Sequence, residues 1–124
     1  MKISVICPTR KRTKHDTILL NSIVETATNL NKIEVIFVID DDDNESIDFF
    51  KNVNEQYEFD IKHVIVPRLK YIFSDLWDQA LPVSTGELYL SVGDDIIFRT
   101  KDWDRMIVDE YEQIPDKILL LHFN

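Results

Sequence analysis

Glycine is scarce: there are two in 124 residues, and neither follows the first apolar run. No Gly-rich turn is therefore on hand to cradle phosphates with backbone amides, which excludes a dinucleotide-binding fingerprint and a P-loop. The single cysteine, Cys7, excludes an intrachain disulfide and a multi-cysteine metal site, and fits a reducing compartment. Positive charge is also short. The 14 basic residues against 23 acidic ones leave a formal net charge of -9, which would repel a nucleic-acid backbone. Arg10, Lys11, Arg12 and Lys14 form one basic loop without interleaved aromatics, which reads for the most part as solvated charge. Pro8 cuts the first apolar run far below the length of a signal h-region or a membrane span. The expectation is a cytoplasmic protein with no nucleic-acid partner and no membrane span.

What is present is a regular alternation. With 44% apolar residues the chain can bury one core, so residues 1–124 read as a single domain. Five strand-length apolar runs stand at Ile3–Cys7, Glu34–Ile39, Ile61–Val66, Leu88–Val92 and Ile118–His122. Segments of helical period separate them, which predicts an α/β fold with a mostly parallel sheet and helices on both faces. Leu20, Ile23, Val24, Ala27 and Leu30 mark the first helix, with Asp16 expected to cap its start. Ile47, Phe50 and Val53 mark the second, and Phe73, Leu76, Trp77 and Ala80 the third, ahead of Pro82 and a turn at Gly86. Trp103, Met106, Ile107 and Tyr111 mark the fourth, ended by Pro115. Because the sequence stops just after a strongly apolar run, a C-terminally shortened domain is expected, with an apolar surface that a homodimer could cover.

In an open parallel sheet, ligands bind beyond the carboxyl ends of the strands. The first strand here ends in Pro8, Thr9 and Arg10, the second in Asp40 to Asp43, and the fourth in Gly93, Asp94 and Asp95. Asp42, Asp43 and Asn44 read as a turn that caps the next helix, whereas Asp40 is a candidate ligand residue. Asp94 and Asp95 lie between the apolar stretches LYLSV and IIF, so both carboxylates are expected to be drawn partly into the fold. Adjacent carboxylates there call for a compensating cation, and hard oxygen ligands suit Mg2+ or Mn2+. Lys70 or Arg68 could add positive charge for a phosphate. His15, His63 and His122 are scattered and read as packing residues, Trp77 and Trp103 as core, and Asp102 and Asp104 as first-turn dipole partners.

Three stretches, ISVICPTRKR, IEVIFVIDDDDNES and STGELYLSVGDDIIF, together with DLWDQAL, resemble the inverting glycosyltransferases of family two, which have the Rossmann-like, three-layer GT-A fold. The resemblance implies a nucleoside diphosphate sugar donor, with a lean to uridine. It implies that Pro8, Thr9 and Arg10 line the nucleoside pocket, and that Asp40, or Asp41 in the neighbouring register, accepts from the base. Lys70 would contact the nucleotide, Asp94 would face the ribose or the ion, and Asp95 would ligate the ion that bridges the diphosphate. The chain departs from the family in having no glycine after the second strand's aspartates. The acceptor and catalytic-base half has no counterpart in it. The expected function is metal-dependent sugar transfer to an unknown acceptor; a non-catalytic nucleotide-sugar-binding module is the alternative. A receiver-like phosphorylation domain is disfavoured, because Pro8 and Pro67 stand where it needs acidic residues.

Overall fold

The computed structural model describes residues 1–68 and 73–114. Among these residues four strands, β1 (Ile3–Thr9), β2 (Ile33–Asp40), β3 (Asp60–Val66) and β4 (Leu88–Ser91), alternate with four helices, α1 (Thr13–Thr26), α2 (Asn44–Lys51), α3 (Phe73–Ala80) and α4 (Trp103–Glu112). All strand pairs are parallel, in the order β3-β2-β1-β4. Ile118–His122, Lys70 and Pro115 fall outside the described residues, so the fifth strand, the lysine and the helix stop are not placed.

Strand periodicity divides the sheet into two faces. Ile3, Val5 and Cys7 of β1 and Ile33, Val35, Phe37 and Ile39 of β2 point into the larger core, with Leu19, Leu20 and Ile23 of α1, Phe50 of α2 and Trp103 of α4. The alternate residues Ile6, Ile36, Val38 and Val66 meet Ala80 and Trp77 of α3 on the other side. Both faces are thus covered by helices, which explains the near-continuous apolar runs of β1 and β2.

At the amino edge, the fully buried Glu34 accepts from Ser4 Oγ (2.5 Å), Thr85 N (2.6 Å) and Lys62 Nζ (2.7 Å). Burial alone would raise its pKa, but these donors outweigh burial and hold the carboxyl at about 2. The same network sets the entry of β4, where a Cβ at Gly86 would collide with Ser4 Oγ and lie 2.8 Å from the Ser4 backbone N. At the other edge, the segment after β4 is tied to α1. Phe98 N donates to Ser22 Oγ (2.9 Å), and buried Asp104 accepts from Thr28 N and Asn29 N (2.8 and 2.9 Å).

Several local expectations are corrected. Asp16 does not cap α1: Arg12 occupies the N-cap position, and Asp16 lies inside the first turn, fully buried. The first helix also stops before Ala27 and Leu30. Ala27 is extended at ψ 144, and Leu30 opens a short 3-10 turn. Asp104 binds the backbone of the α1 exit as well as lying in the first turn of α4, and Asp102 adopts a left-handed conformation with φ 62.

Candidate nucleotide-binding site

The chain runs β1, β2, β3 outward and then returns to place β4 on the other side of β1. That reversal makes a crevice between the loops after β1 and β4, the place where open parallel sheets bind ligands. Thr9, the last residue of β1, bridges it: its Oγ1 lies 3.1 Å from Asp94 Oδ2. Arg12 Nη1 stands 3.4 Å from Asp94 Oδ1.

On the β2 side, Arg10 Nη1 donates to Asp40 Oδ2 at 2.9 Å. The same guanidinium grips Asp42 through both nitrogens, at 2.6 and 3.2 Å. These two carboxylates push the Arg10 pKa up, and Arg10 in turn holds Asp42 below the usual carboxylate range. Arg68 adds a longer contact to Asp42, 3.6 Å. Asp40 is only 2% exposed, yet its Oδ1 has no hydrogen-bond partner. An unpaired buried acceptor on a charged group is costly, and a ligand donor would relieve it. Asp43 does cap α2, accepting from Ser46 N (3.2 Å), and its second oxygen accepts from Lys11 N (2.7 Å). That bond pins the β1–α1 loop where Lys11 takes a left-handed φ of 52.

The expected site residues therefore gather at one sheet edge, but unequally. Thr9, Arg10, Asp40 and Asp94 are linked by hydrogen bonds or ion pairs. Pro8 is half-buried in β1, beside Val38 of β2. Asp41 and Asp95 are exposed at the rim, with no side-chain partner among the described residues. For Asp95 this corrects the expected partial burial: the flanking Ile96 and Ile97 are themselves 41% and 45% exposed. Asp94, half-buried, fits it.

Two residues tied to this edge were not anticipated. One is Arg12 of the basic loop, which reads for the most part as solvated and is paired with Asp94. Asp16 is the other: both its oxygens lie within 2.9 Å of Thr9 Oγ1. Burial raises its pKa to about 7, against the lowering effect of the Thr9 bond and with help from Asp94 and Asp43. Its spacing to Leu19, Leu20 and Ile23 puts it on the buried stripe of α1, and that was the available signal. Burial, with Asp16, Asp94 and Asp95 nearby, also lifts the Cys7 thiol far above its ordinary value, so it is not a reactive thiolate.

No protein-family model matches the sequence, and no curated protein matches it. Solved structures do. The first 349 residues of S. aureus TarS superpose with a TM-score of 0.68 at 24% identity, over 90% of this chain and 33% of that one. The chain has a GT-A glycosyltransferase fold. The same TarS region in complex with UDP-GlcNAc matches at TM-score 0.67 and 25% identity, over 90% of this chain and 32% of that one. Mouse xyloside xylosyltransferase 1 matches more remotely, at TM-score 0.54 and 10% identity, covering 93% of this chain and 50% of that one. The chain thus spans about a third of the TarS region it matches. No helix among the described residues is long and apolar enough to cross a membrane.

Proposed function

We propose that this chain binds the nucleoside diphosphate part of a sugar donor, a uridine diphosphate sugar, as the donor half of an inverting glycosyltransferase. The observation that carries this reading is the convergence of Asp40, Arg10, Thr9 and Asp94 on the carboxyl edge of a GT-A sheet, at its topological switch point. The TarS complex with UDP-GlcNAc supports the choice of ligand class. Asp40 Oδ1, buried and without a donor, suits the imide N–H of a uracil, with Arg10 on the other oxygen fixing the carboxylate. Pro8, Thr9 and Asp41 would line the same pocket, and Lys70 remains a candidate phosphate contact.

A divalent ion, Mn2+ or Mg2+, fits Asp94 and Asp95. Both supply hard oxygens, and Asp95 has no competing partner among the described residues. No group of three or more His, Cys, Asp or Glu suited to a metal occurs among the described residues. Two carboxylates would therefore share the ion with phosphate oxygens and water, an arrangement common for Mg2+ on phosphates. When bound, the ion would offset charge developing on the leaving diphosphate. Thr9 and Arg12 would hold Asp94 in place, and Arg10 would hold Asp40.

The test is a calorimetric titration of the chain with uridine, cytidine and guanosine diphosphates in the presence of manganese, repeated for Asp40→Asn. Uridine diphosphate should bind best, and Asp40→Asn should weaken it by about 1.5 kcal/mol, roughly tenfold, the scale of one charge-assisted hydrogen bond. Failure of all three nucleotides to bind would overturn the proposal. A transfer or donor-hydrolysis assay then separates an enzyme from a binding module.

A further inference from the structure

Asp16 lies behind the site rather than in it, yet among the described residues it is one of the most buried charged groups, at 0% exposure. A carboxyl in that position lowers stability relative to an apolar residue unless its hydrogen bonds are well met. Among the described residues its side chain has one hydrogen-bonding partner, the Thr9 hydroxyl, at 2.8 Å from Oδ1 and 2.9 Å from Oδ2. The same hydroxyl reaches Asp94 Oδ2 at 3.1 Å. A hydroxyl has one proton and two lone pairs, so its orientation cannot be set for Asp94 independently of Asp16. The three side chains form one chain of contacts that runs from the interior of α1, through the end of β1, to the loop after β4.

We propose that Asp16 is a positioning residue for Asp94, acting through the Thr9 hydroxyl, so that the Asp94 carboxylate is presented in one fixed orientation to the diphosphate and its cation. The inference rests on the donor-site reading for what Asp94 does, but the array itself does not depend on it. With the proton on its own carboxyl, Asp16 donates to Thr9 Oγ1 and leaves the hydroxyl proton for Asp94; without a partner at position 16 the hydroxyl is free to rotate, and Asp94 loses an ordered donor. Outer partners of this kind commonly change ligand affinity about 10- to 100-fold when removed.

Three variants separate positioning from packing. Asp16→Asn keeps both an acceptor and a donor facing Thr9, whichever way the hydroxyl proton lies. Asp16→Ala removes both, and Asp16→Leu does so while filling the space, should the alanine variant fail to fold. One readout needs no ligand: the carboxyl 13C resonance of Asp94 in the full chain. It should move in Asp16→Ala or Asp16→Leu and return close to the parent position in Asp16→Asn. The second readout is manganese-dependent binding of uridine diphosphate, expected to fall about tenfold in the apolar variants and to stay within about threefold in Asp16→Asn. An unmoved Asp94 resonance in the apolar variants, or equal weakening by Asn and Leu, overturns the inference. Absence of nucleotide binding by the parent chain overturns the donor-site reading instead, and the Asp94 resonance still decides the role of Asp16.

Discussion

Asp16→Asn should abolish a pH dependence of stability that the parent chain shows across the neutral range. Burial raises the folded-state pKa of Asp16 to about 7, from 3.8. Between those values the folded protein retains a proton that the unfolded chain has released. Stability from this group is therefore greatest at the acid end and is lost as pH rises through about 7. Linkage with these two values gives a loss of roughly 2–3 kcal/mol between about pH 5 and about pH 8. The other perturbed carboxyls do not interfere in that window. Glu34 is held at about 2, and Asp42 and Asp43 are lowered, so their contributions fade only under stronger acid. His63 is lowered by burial and works in the opposite direction, but it is common to both proteins and cancels in the difference. Urea unfolding of parent and Asp16→Asn at unit steps of pH measures that difference directly. The parent should lose roughly 2–3 kcal/mol relative to the variant as pH rises. Parallel stability profiles would refute the assignment of Asp16 as the buried titrating acid.

Gly86→Ala should destabilise the fold by about 1–3 kcal/mol in denaturant unfolding, because the new Cβ meets the Ser4 backbone as well as its hydroxyl and neither can yield cheaply. Asp43→Ala should cost about 1–2 kcal/mol of stability through loss of the α2 cap, and a stability unchanged in the same assay would contradict the capping role. Gly93→Ala, by contrast, meets only the flexible Asp95 carboxylate, at 2.9 Å. It should leave the melting temperature nearly unchanged while weakening manganese-dependent nucleotide binding, a separation that calorimetry and thermal melts can read together.

β1 and β2 were legible because they are buried on both faces, so that burial itself is written as near-continuous runs rich in Val and Ile. The site edge was legible for a related reason: in a parallel sheet the residue after each apolar run is placed by topology, and Asp40, Thr9 and Asp94 could be located without any side-chain geometry. What could not be read was pairing across elements. Arg10 and Asp42 are 32 residues apart, and nothing local distinguishes a guanidinium that docks on an acidic loop from one in solvent. Asp16 was misread because an acidic residue near a helix start ordinarily serves the helix itself. Only the docking of α1 on β1 turns that carboxyl toward Thr9. The end of α1 was overrun because Ala27 and Leu30 keep the helical spacing of apolar residues while packing on the core from an extended segment and a 3-10 turn. Asp95 was drawn inward by its apolar neighbours in the sequence, but Ile96 and Ile97 face outward.

The proposed cation-assisted site for a nucleoside diphosphate at the acidic strand ends is tested by calorimetric binding of uridine diphosphate to the parent chain and to Asp95→Asn, with manganese and with a chelator. A diphosphate brought beside Asp40, Asp94 and Asp95 meets repulsion that an ion shared by carboxylate and phosphate oxygens converts to attraction. Binding should therefore require manganese and should fall at least about tenfold, about 1.4 kcal/mol, in Asp95→Asn. Equal affinity with the ion chelated, or an unchanged affinity in Asp95→Asn, would contradict the account.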